Sequence, residues 1–470
     1  MGAVVSLDAT TLARQSDWTP WHVTVVGIGI AGFSAADVLS QLGAQVTVID
    51  AGDDEARRER AEILDTLGVS VLLGHAGVAA EGTDLLVVSP GLRPSAPVIL
   101  DALERGIPVW GELELAWRVR HPDNAAAWLC VTGTNGKTTV TLMLESMLRA
   151  AGYRTTAAGN IGTSLVDVVM HDELDVIAVE VGAPQLPFVH SMSPVAAVCL
   201  NIADDHIDHF GSMEAYVAAK ARVYERVQEA AVYNVQDEVT LHMVEDADVV
   251  EGCRAIGFTL GVPSLSMLGV VDDVLVDRAF IAERAETAQE LGLVTDVHPF
   301  APHNVANALA AAALARAFGV PPTAVRDGLR AFVPAAHRIA SVGMVDGVHF
   351  VDDSKATNAH AAQTSLLAYE PIVWIAGGMA KGQEFDDLVR RSRDRLRGVV
   401  LLGVDRDVIG EALARHAPDV PVMVVDNRET GAMVEVVRQA AALAQSGDTV
   451  LLAPGCASWD MFHDDTDRGR

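Results

Sequence analysis

Aromatic residues are scarce in this 470-residue chain, at 5 %. Alanine and valine dominate its apolar half instead, a composition suited to helices packed on parallel sheets. The four cysteines (Cys130, Cys199, Cys253 and Cys456) are scattered and form no C-x-x-C pair, which excludes a disulfide framework and a zinc site. Basic residues are outnumbered, 34 Lys and Arg against 63 Asp and Glu, for a formal charge of −29. Neutralising a nucleic-acid backbone takes clustered Lys and Arg, so nucleic acid is excluded as a bulk partner. A long uninterrupted apolar run is also missing. The most apolar stretch, 301–320, is broken by His303, Asn304, Asn307 and Arg316 and reads as a buried helix, not a membrane span. Residues 1–21 contain Asp8, Arg14 and Asp17 and no apolar core, so no signal peptide is expected. The expectation is a cytoplasmic protein without a membrane partner.

What is present suits a large folded protein. At 470 residues, 50 % hydrophobic and 21 % charged, the chain can bury several cores and has the length of about three domains. A strand at 22–26, a helix at 31–42 and a strand at 45–50 make a βαβ opening around the loop Gly27-Ile28-Gly29-Ile30-Ala31-Gly32. A strand at 85–89 leads into Pro90-Gly91, and this unit closes near 108–114. The second unit starts with a strand at 128–132, the loop Gly133-Thr134-Asn135-Gly136-Lys137-Thr138-Thr139 and a helix from Val140. Strands at 175–181 and 195–201 follow, with helices near 213–226 and 305–318, while 239–297 shows strand-like pieces without a motif. After Pro334, strands at 348–351, 372–376, 398–402, 422–425 and 449–452 alternate with helices, which predicts another parallel or mixed sheet. The expected fold is α/β in three domains, 1–115, 116–334 and 335–470.

The chemistry concentrates where strands end. Glycines in the first loop would let backbone approach a diphosphate at a helix N-terminus, and Asp50, closing the next strand, could bind a ribose or base. NAD, another nucleotide and a tight structural turn all remain open for that loop. The second loop is sharper: its N–H groups can cradle phosphate, Lys137 adds charge and Thr138 can reach Mg²⁺. It departs from the ordinary P-loop, which would need glycine where Val131 stands. Glu180 closes an apolar run at a strand tip, where a carboxylate can hold a nucleotide's Mg²⁺. His206 lies beside Asp204, Asp205 and Asp208 and is a candidate metal ligand. Lys220, taken alone, reads as a solvated surface lysine.

Taken together, these segments resemble the Mur ligase family over nearly the whole chain. The match runs through Gly27 to Gly32 and Ser89-Pro90-Gly91, then Gly133 to Thr139, Gly159-Asn160-Ile161-Gly162, Glu180, Asp205-His206 and His303-Asn304-Val305-Ala306-Asn307. It continues through His337-Arg338, Asp353-Ser354-Lys355-Ala356-Thr357-Asn358, Gly377-Gly378 and Cys456-Ala457-Ser458. The resemblance implies a Rossmann-like UDP-binding domain, a P-loop-type central ATPase domain and a Rossmann-like C-terminal domain that binds an amino acid. It implies a uridine nucleotide in the first loop, with Ile30, Ala31, Asp50, Ser89, Asn160 and His206 around the UDP-linked substrate. ATP is implied at the phosphate loop together with Asn304, Asn307, Arg338 and Asp353. Mg²⁺, as two ions, is implied at Thr138, Glu180, His206 and a carbamate formed on Lys220, with Lys137, Lys220 and His206 catalytic.

The family's D-glutamate-adding branch is suggested by the Asp-Ser-Lys-Ala-Thr-Asn and Cys-Ala-Ser segments. That implies D-glutamate at Lys355, Thr357, Lys381 and Ser458. The expected reaction joins D-glutamate to UDP-N-acetylmuramoyl-L-alanine through an acyl phosphate, in a monomer. Four departures stand out. The family's Glu-x-Ser-Ser-Phe-Gln is here Glu180-Val181-Gly182-Ala183-Pro184-Gln185, so Gln185 is carried over but two hydroxyls are missing. Ala51-Gly52 follows Asp50, where the family places polar uracil contacts. Asp465 stands where relatives often carry an aromatic, and relatives continue into another helix after Arg470. The rival readings are a sister ligase for another amino acid or for folate, an NAD-dependent oxidoreductase built on the first loop, and a nucleotide-binding regulator. The oxidoreductase leaves the second loop without a purpose, and the regulator needs none of the catalytic set.

Overall fold

The computed structural model describes residues 8–171, 173–204, 207–426 and 431–470, and of residues 207 and 208 the backbone alone. Its first sheet contains β1 (His22–Val26), β2 (Gln45–Asp50), β3 (Ser70–Leu73), β4 (Leu85–Val88) and β5 (Val109–Gly111). They lie parallel in the order β3-β2-β1-β4-β5. The order reverses between β1 and β4, and an open α/β sheet has its ligand crevice outside the carboxyl ends at that point. Parallel strands covered on both faces need near-continuous apolar runs, and Val23, Val25, Leu85, Leu86 and Val87 are all buried.

The central sheet has nine strands, β6 (Ala127–Thr132), β7 (Thr155–Gly159), β8 (Val176–Glu180), β9 (Ala196–Cys199), β10 (Ala230–Asn234), β11 (Arg254–Phe258), β12 (Met267–Val271), β13 (Val274–Asp277) and β14 (Gln289–Leu293). Their order is β14-β13-β12-β11-β10-β9-β6-β8-β7, with β12-β13-β14 forming an antiparallel extension. The stretch without a motif thus turns out to be a helix, Glu238–Glu245, followed by these edge strands. The helix after β6 spans Lys137–Ala150 and starts three residues before Val140. Gly136, at φ 87°, makes the break, and Lys137, Thr138 and Thr139 form the first helical turn. The helix expected over 213–226 stops at Ala221 and tightens into a 3₁₀ turn, Arg222–Tyr224. That turn drives Tyr224 into the core, where its hydroxyl donates to Val232 O at 2.6 Å and accepts from Cys199 N at 2.8 Å.

The third sheet holds β15 (Ala340–Val345), β16 (Val348–Asp352), β17 (Ile372–Gly377), β18 (Leu396–Leu402), β19 (Val422–Val424) and β20 (Thr449–Leu452), ordered β15-β16-β20-β17-β18-β19. It is mixed, because β15 runs antiparallel to β16. Two compact units result. One takes in the first two sheets, up to Ile202 and again on to Asp296, together with Ala306–Ala331; the other takes in Ala203 and Asp204, Val297–Val305 and Phe332–Arg470. None of the described helices is long and apolar enough to cross a membrane.

Within the first unit, one short helix, Glu112–Arg118, ties the two sheets together. Glu112 Oε1 accepts from Ser164 Oγ at 2.8 Å and from Leu165 N at 2.9 Å. Glu114 accepts from His190 N at 2.8 Å and from Ser191 N at 2.9 Å, and Arg118 Nε donates to it at 2.8 Å. Burial raises the Glu112 pKa despite those bonds. Glu114 is also penalised by burial, but the Ser191 and His190 donors and Arg118 outweigh it and hold its pKa below the ordinary range.

Candidate active site

The crevice of the first sheet forms around glycines that nothing larger could replace. A Cβ on Gly32 would lie 1.9 Å from Gly27 O, so the first helix packs directly onto the loop. Gly27 sits at φ 96°, and a Cβ there would lie 2.5 Å from Ser89 Oγ. The Ser89 hydroxyl is buried and has no hydrogen-bond partner among the described residues. A cavity of about 240 Å³ opens beside it, lined by Gly27, Asp50, Ala51, His75, Leu92 and Pro97 among others. Asp50 is less free than the sequence suggested. Its Oδ2 accepts from Ile28 N at 2.8 Å, and its Oδ1 accepts from Gly52 N at 2.8 Å and Arg57 Nε at 3.0 Å. Burial opposes the charge, but the two amides and Arg57 outweigh it, and the pKa is lowered. Asp50 therefore shapes the glycine loop. Arg57, which the sequence reading missed, fills the space over Gly52, where a Cβ would meet its Nε at 2.5 Å.

A second cavity of about 220 Å³ has Ile30, Ala31, Glu112, Asn160, Ser164 and Gln185 in its lining. Gln185 Oε1 accepts from Gly182 N at 2.8 Å, while its buried Nε2 has no partner among the described residues. A Cβ at Gly182 would sit 3.1 Å from Asn160 Oδ1, so the missing hydroxyls leave room that Asn160 already crowds. Of these two unpartnered buried groups, the Gln185 amide belongs to the lining of the second cavity, where a polar ligand could satisfy it, and the Ser89 hydroxyl packs against Gly27 of the first.

The phosphate loop follows β6 and is clamped by Asn201, just past β9. Thr134 N donates to Asn201 O at 2.9 Å, Asn135 N donates to Asn201 Oδ1 at 2.9 Å, and Asn201 Nδ2 returns a bond to Asn135 O at 3.0 Å. A Cβ on Gly136 would lie 2.6 Å from Asn307 Oδ1, so Asn307 stands against the loop. Lys137 Nζ donates to Gly133 O at 3.0 Å and Thr134 O at 2.9 Å. Thr138 Oγ1 donates to Glu180 Oε2 at 2.8 Å, and Asn160 Nδ2 donates to Oε1 at 3.0 Å. Glu180 is only 2 % exposed. No described group of three His, Cys, Asp or Glu could hold a metal. Mg²⁺, however, takes one or two protein oxygens and completes its shell with phosphate and water, and Thr138 with Glu180 meets that need.

Lys220 corrects its surface reading. It is 1 % exposed, and its Nζ donates to Gly133 O at 2.8 Å, beside the carbonyl contacts of Lys137. Asp205 and His206 lie outside the described residues. The cysteines offer no nucleophile here, since burial pushes the Cys199 thiol up to about 11.

In the second unit, β16, β20 and β17 are neighbours, and their carboxyl ends carry Lys355 and Thr357, Ser458, and Lys381 respectively. Lys355 Nζ is paired with Asp465 Oδ1 at 2.6 Å, a partner that sequence alone gave no reason to expect. The buried Arg468 holds that region together, donating to Ser354 O at 2.7 Å and Cys456 O at 2.9 Å. Asp353 accepts from Ser365 Oγ and from Ile339 N, and burial pushes its pKa up to about 6 despite the nearby Arg338. Asn304 Nδ2 donates to Pro299 O at 3.0 Å. Neighbouring His303 is pushed by burial down to about 4. Of the expected ATP ligands, the loop residues and Asn307 belong to the first unit and Asn304, Arg338 and Asp353 to the second.

Three family descriptions match this chain: the Mur ligase MurD-like N-terminal domain over residues 21–111, the Mur ligase middle domain over 131–315 and the Mur ligase glutamate ligase domain over 337–456. The chain is 59 % identical to the UDP-N-acetylmuramoylalanine–D-glutamate ligase of Streptomyces avermitilis, over 97 % of both chains. It is 52 % identical to the protein of that name from Thermobifida fusca, over 95 % of this chain and 96 % of that one. Among solved structures, the UDP-N-acetylmuramate-alanine ligase of Thermotoga maritima superposes with a TM-score of 0.54 at 20 % identity, covering 92 % of this chain and 95 % of the other. A pseudomurein peptide ligase type C from Methanothermus fervidus does so with a TM-score of 0.56 at 17 % identity, over 92 % and 96 %. At such identities the structures speak for the fold alone.

Proposed function

The chain belongs to the Mur ligase family, and on that premise we propose that it is the ATP-dependent ligase joining D-glutamate to UDP-N-acetylmuramoyl-L-alanine in peptidoglycan precursor synthesis. The observation that carries this reading is the phosphate loop with Lys137 at its centre and Thr138 bonded to Glu180 behind it.

The substrate's L-alanyl carboxylate attacks the γ-phosphorus of ATP, and ADP leaves. The amine of D-glutamate then attacks the resulting acyl phosphate, and the tetrahedral intermediate expels phosphate to leave the amide. In this reading the first-turn N–H groups of the helix Lys137–Ala150 receive phosphate oxygens. Lys137 exchanges its contacts to Gly133 O and Thr134 O for phosphate. Thr138 and Glu180 would hold Mg²⁺, whose positive charge offsets repulsion between the two anionic reactants. Lys220, whose Nζ lies on Gly133 O, would carry a carbamate, and with His206 it would hold a second ion that supplies further positive charge at the reacting phosphate. Ile30, Ala31, Ser89 and Asn160 receive the UDP-linked substrate, with Asp50 acting through the loop it shapes. Lys355, Thr357, Lys381 and Ser458 receive D-glutamate, and Asn307, which stands against Gly136, supports the ATP loop. The enzyme works in the cytoplasm, where ATP is supplied.

The test is phosphate release from ATP across a panel of UDP-muramoyl acceptors and amino acids. Turnover should require UDP-N-acetylmuramoyl-L-alanine and D-glutamate together. A preference for L-alanine or a diamino acid would keep the ligase class and remove the D-glutamate assignment.

A further inference from the structure

We propose that Trp459 is a positioning residue that sets amino-acid specificity, by holding the Lys381 ammonium on its indole face at the mouth of the D-glutamate site. This rests on the reading of the Lys381 loop given above.

Trp459 is 65 % exposed, although tryptophan is on average one of the more buried residues. Lys381 Nζ lies 4.2 Å from its ring centroid, well inside the range of a cation–π contact. Neither side chain arrives there by accident of a loose loop. Lys381 takes a left-handed backbone, φ 52°, which a residue bearing a Cβ adopts only when its surroundings impose it. The surroundings do so at several points. Met379 and Ala457 exchange amide bonds of 2.9 and 3.0 Å, which zips the Lys381 loop to the Trp459 loop. Ala380 N donates to Asp405 Oδ2 at 2.8 Å, and Gln383 ties the far side through Ala359 N at 2.8 Å and Ala380 O. A braced loop with a strained tip presents one cation, and an exposed indole meets it.

The two lysines of the site differ in consequence. Lys355 is already paired with Asp465, whereas Lys381 has no carboxylate partner among the described residues. An aromatic face holds an ammonium without neutralising it, so Lys381 is fixed in place with its charge available to a substrate carboxylate. A dicarboxylic amino acid gains from that; one with a neutral side chain does not.

The experiment compares Trp459→Ala, Trp459→Phe, Lys381→Ala and the double variant Trp459→Ala/Lys381→Ala, each checked for folding by circular dichroism. For each, KM is measured for D-glutamate, ATP and the UDP substrate, and kcat/KM for D-glutamate against D-glutamine. Trp459→Ala should raise the D-glutamate KM about two- to fivefold, the strength of an exposed cation–π contact, and leave kcat and the other two KM values unchanged. Discrimination against D-glutamine should fall by the same factor. Trp459→Phe, which keeps a ring face, should recover most of the loss, and Trp459→Ala should add nothing once Lys381 is alanine. An unchanged D-glutamate KM in Trp459→Ala, or an equal effect with and without Lys381, overturns the proposal and leaves the D-glutamate site standing. A Lys381→Ala enzyme with a normal D-glutamate KM removes the site assignment itself.

Discussion

Replacing Glu180 with glutamine separates the carboxylate's charge from its shape. Glu180 is almost fully enclosed, and each oxygen takes one donor, Thr138 Oγ1 at 2.8 Å and Asn160 Nδ2 at 3.0 Å. A glutamine amide keeps one acceptor and turns an NH₂ toward the other donor. The Thr138 hydroxyl can rotate and accept instead, so folding should lose no more than one hydrogen bond, about 1 kcal/mol. Relief from burying a charge works in the opposite direction. Catalysis should respond on a different scale. A carboxylate that helps hold a divalent ion against the reacting phosphate supports several kcal/mol of charge stabilisation. Losing about 3–4 kcal/mol of it lowers kcat/KM by about 10²–10³-fold. The assay pairs phosphate release, followed over a range of substrate concentrations to give kcat/KM, with urea unfolding of both proteins. A Glu180→Gln enzyme within about threefold of the parent, a ratio worth only about 0.7 kcal/mol, refutes the metal-holding role. So does an activity loss that merely follows the unfolded fraction.

Gly32→Ala places a methyl carbon 1.9 Å from Gly27 O, a backbone-to-backbone clash. It should cost about 1–3 kcal/mol in urea unfolding and raise the KM for the UDP substrate while sparing that for ATP. Lys220→Ala should lose far more kcat than ATP affinity. Activity of the parent should also fall when CO₂ is stripped at mildly acidic pH, and full activity in Lys220→Ala would return this lysine to a packing role. Asp353 titrates near 3.8 when unfolded and near 6 when folded. The native state therefore holds its proton longer, and the stability it contributes is complete below about pH 4 and lost as pH rises to about 6. That amounts to on the order of 3 kcal/mol. Asp353→Asn should abolish this slope in unfolding curves taken between those pH values, and an unchanged slope would place the titration elsewhere.

Much of the site could be read from the chain because its parts are local. Gly133, Gly136 and Lys137 lie within five residues, and the left-handed glycines that build the loop are themselves the sequence signal. Glu180 and Ser89 follow apolar runs whose strand character is unambiguous. Other features depend on residues far apart in sequence. Nothing around Lys220 foretells its burial against Gly133 O, because the contact spans 87 positions. Asp50 looked like a free acid until its bonds to Ile28, Gly52 and Arg57 appeared. Lys355 and Asp465 are separated by 110 positions, and no periodicity reports such a pair. The strands β12 to β14 were obscured because they are short, partly exposed and joined by charged loops, so neither a parallel-strand run nor a clean alternation survives.

The helix Glu112–Arg118 has a kinetic meaning. By fastening the first sheet to the central one through two buried carboxylates, it makes the glycine loop and the phosphate loop parts of one body. In the proposed reaction, a substrate gripped by its diphosphate in the first loop would not have to diffuse to the second; its reactive carboxylate would be delivered as if dissolved at very high local concentration. Well-oriented intramolecular reactions reach effective molarities of about 10⁵ M and above, and a hinge at this joint would forfeit part of that. In that proposal the uridine end, though chemically inert, would contribute to turnover as well as to binding.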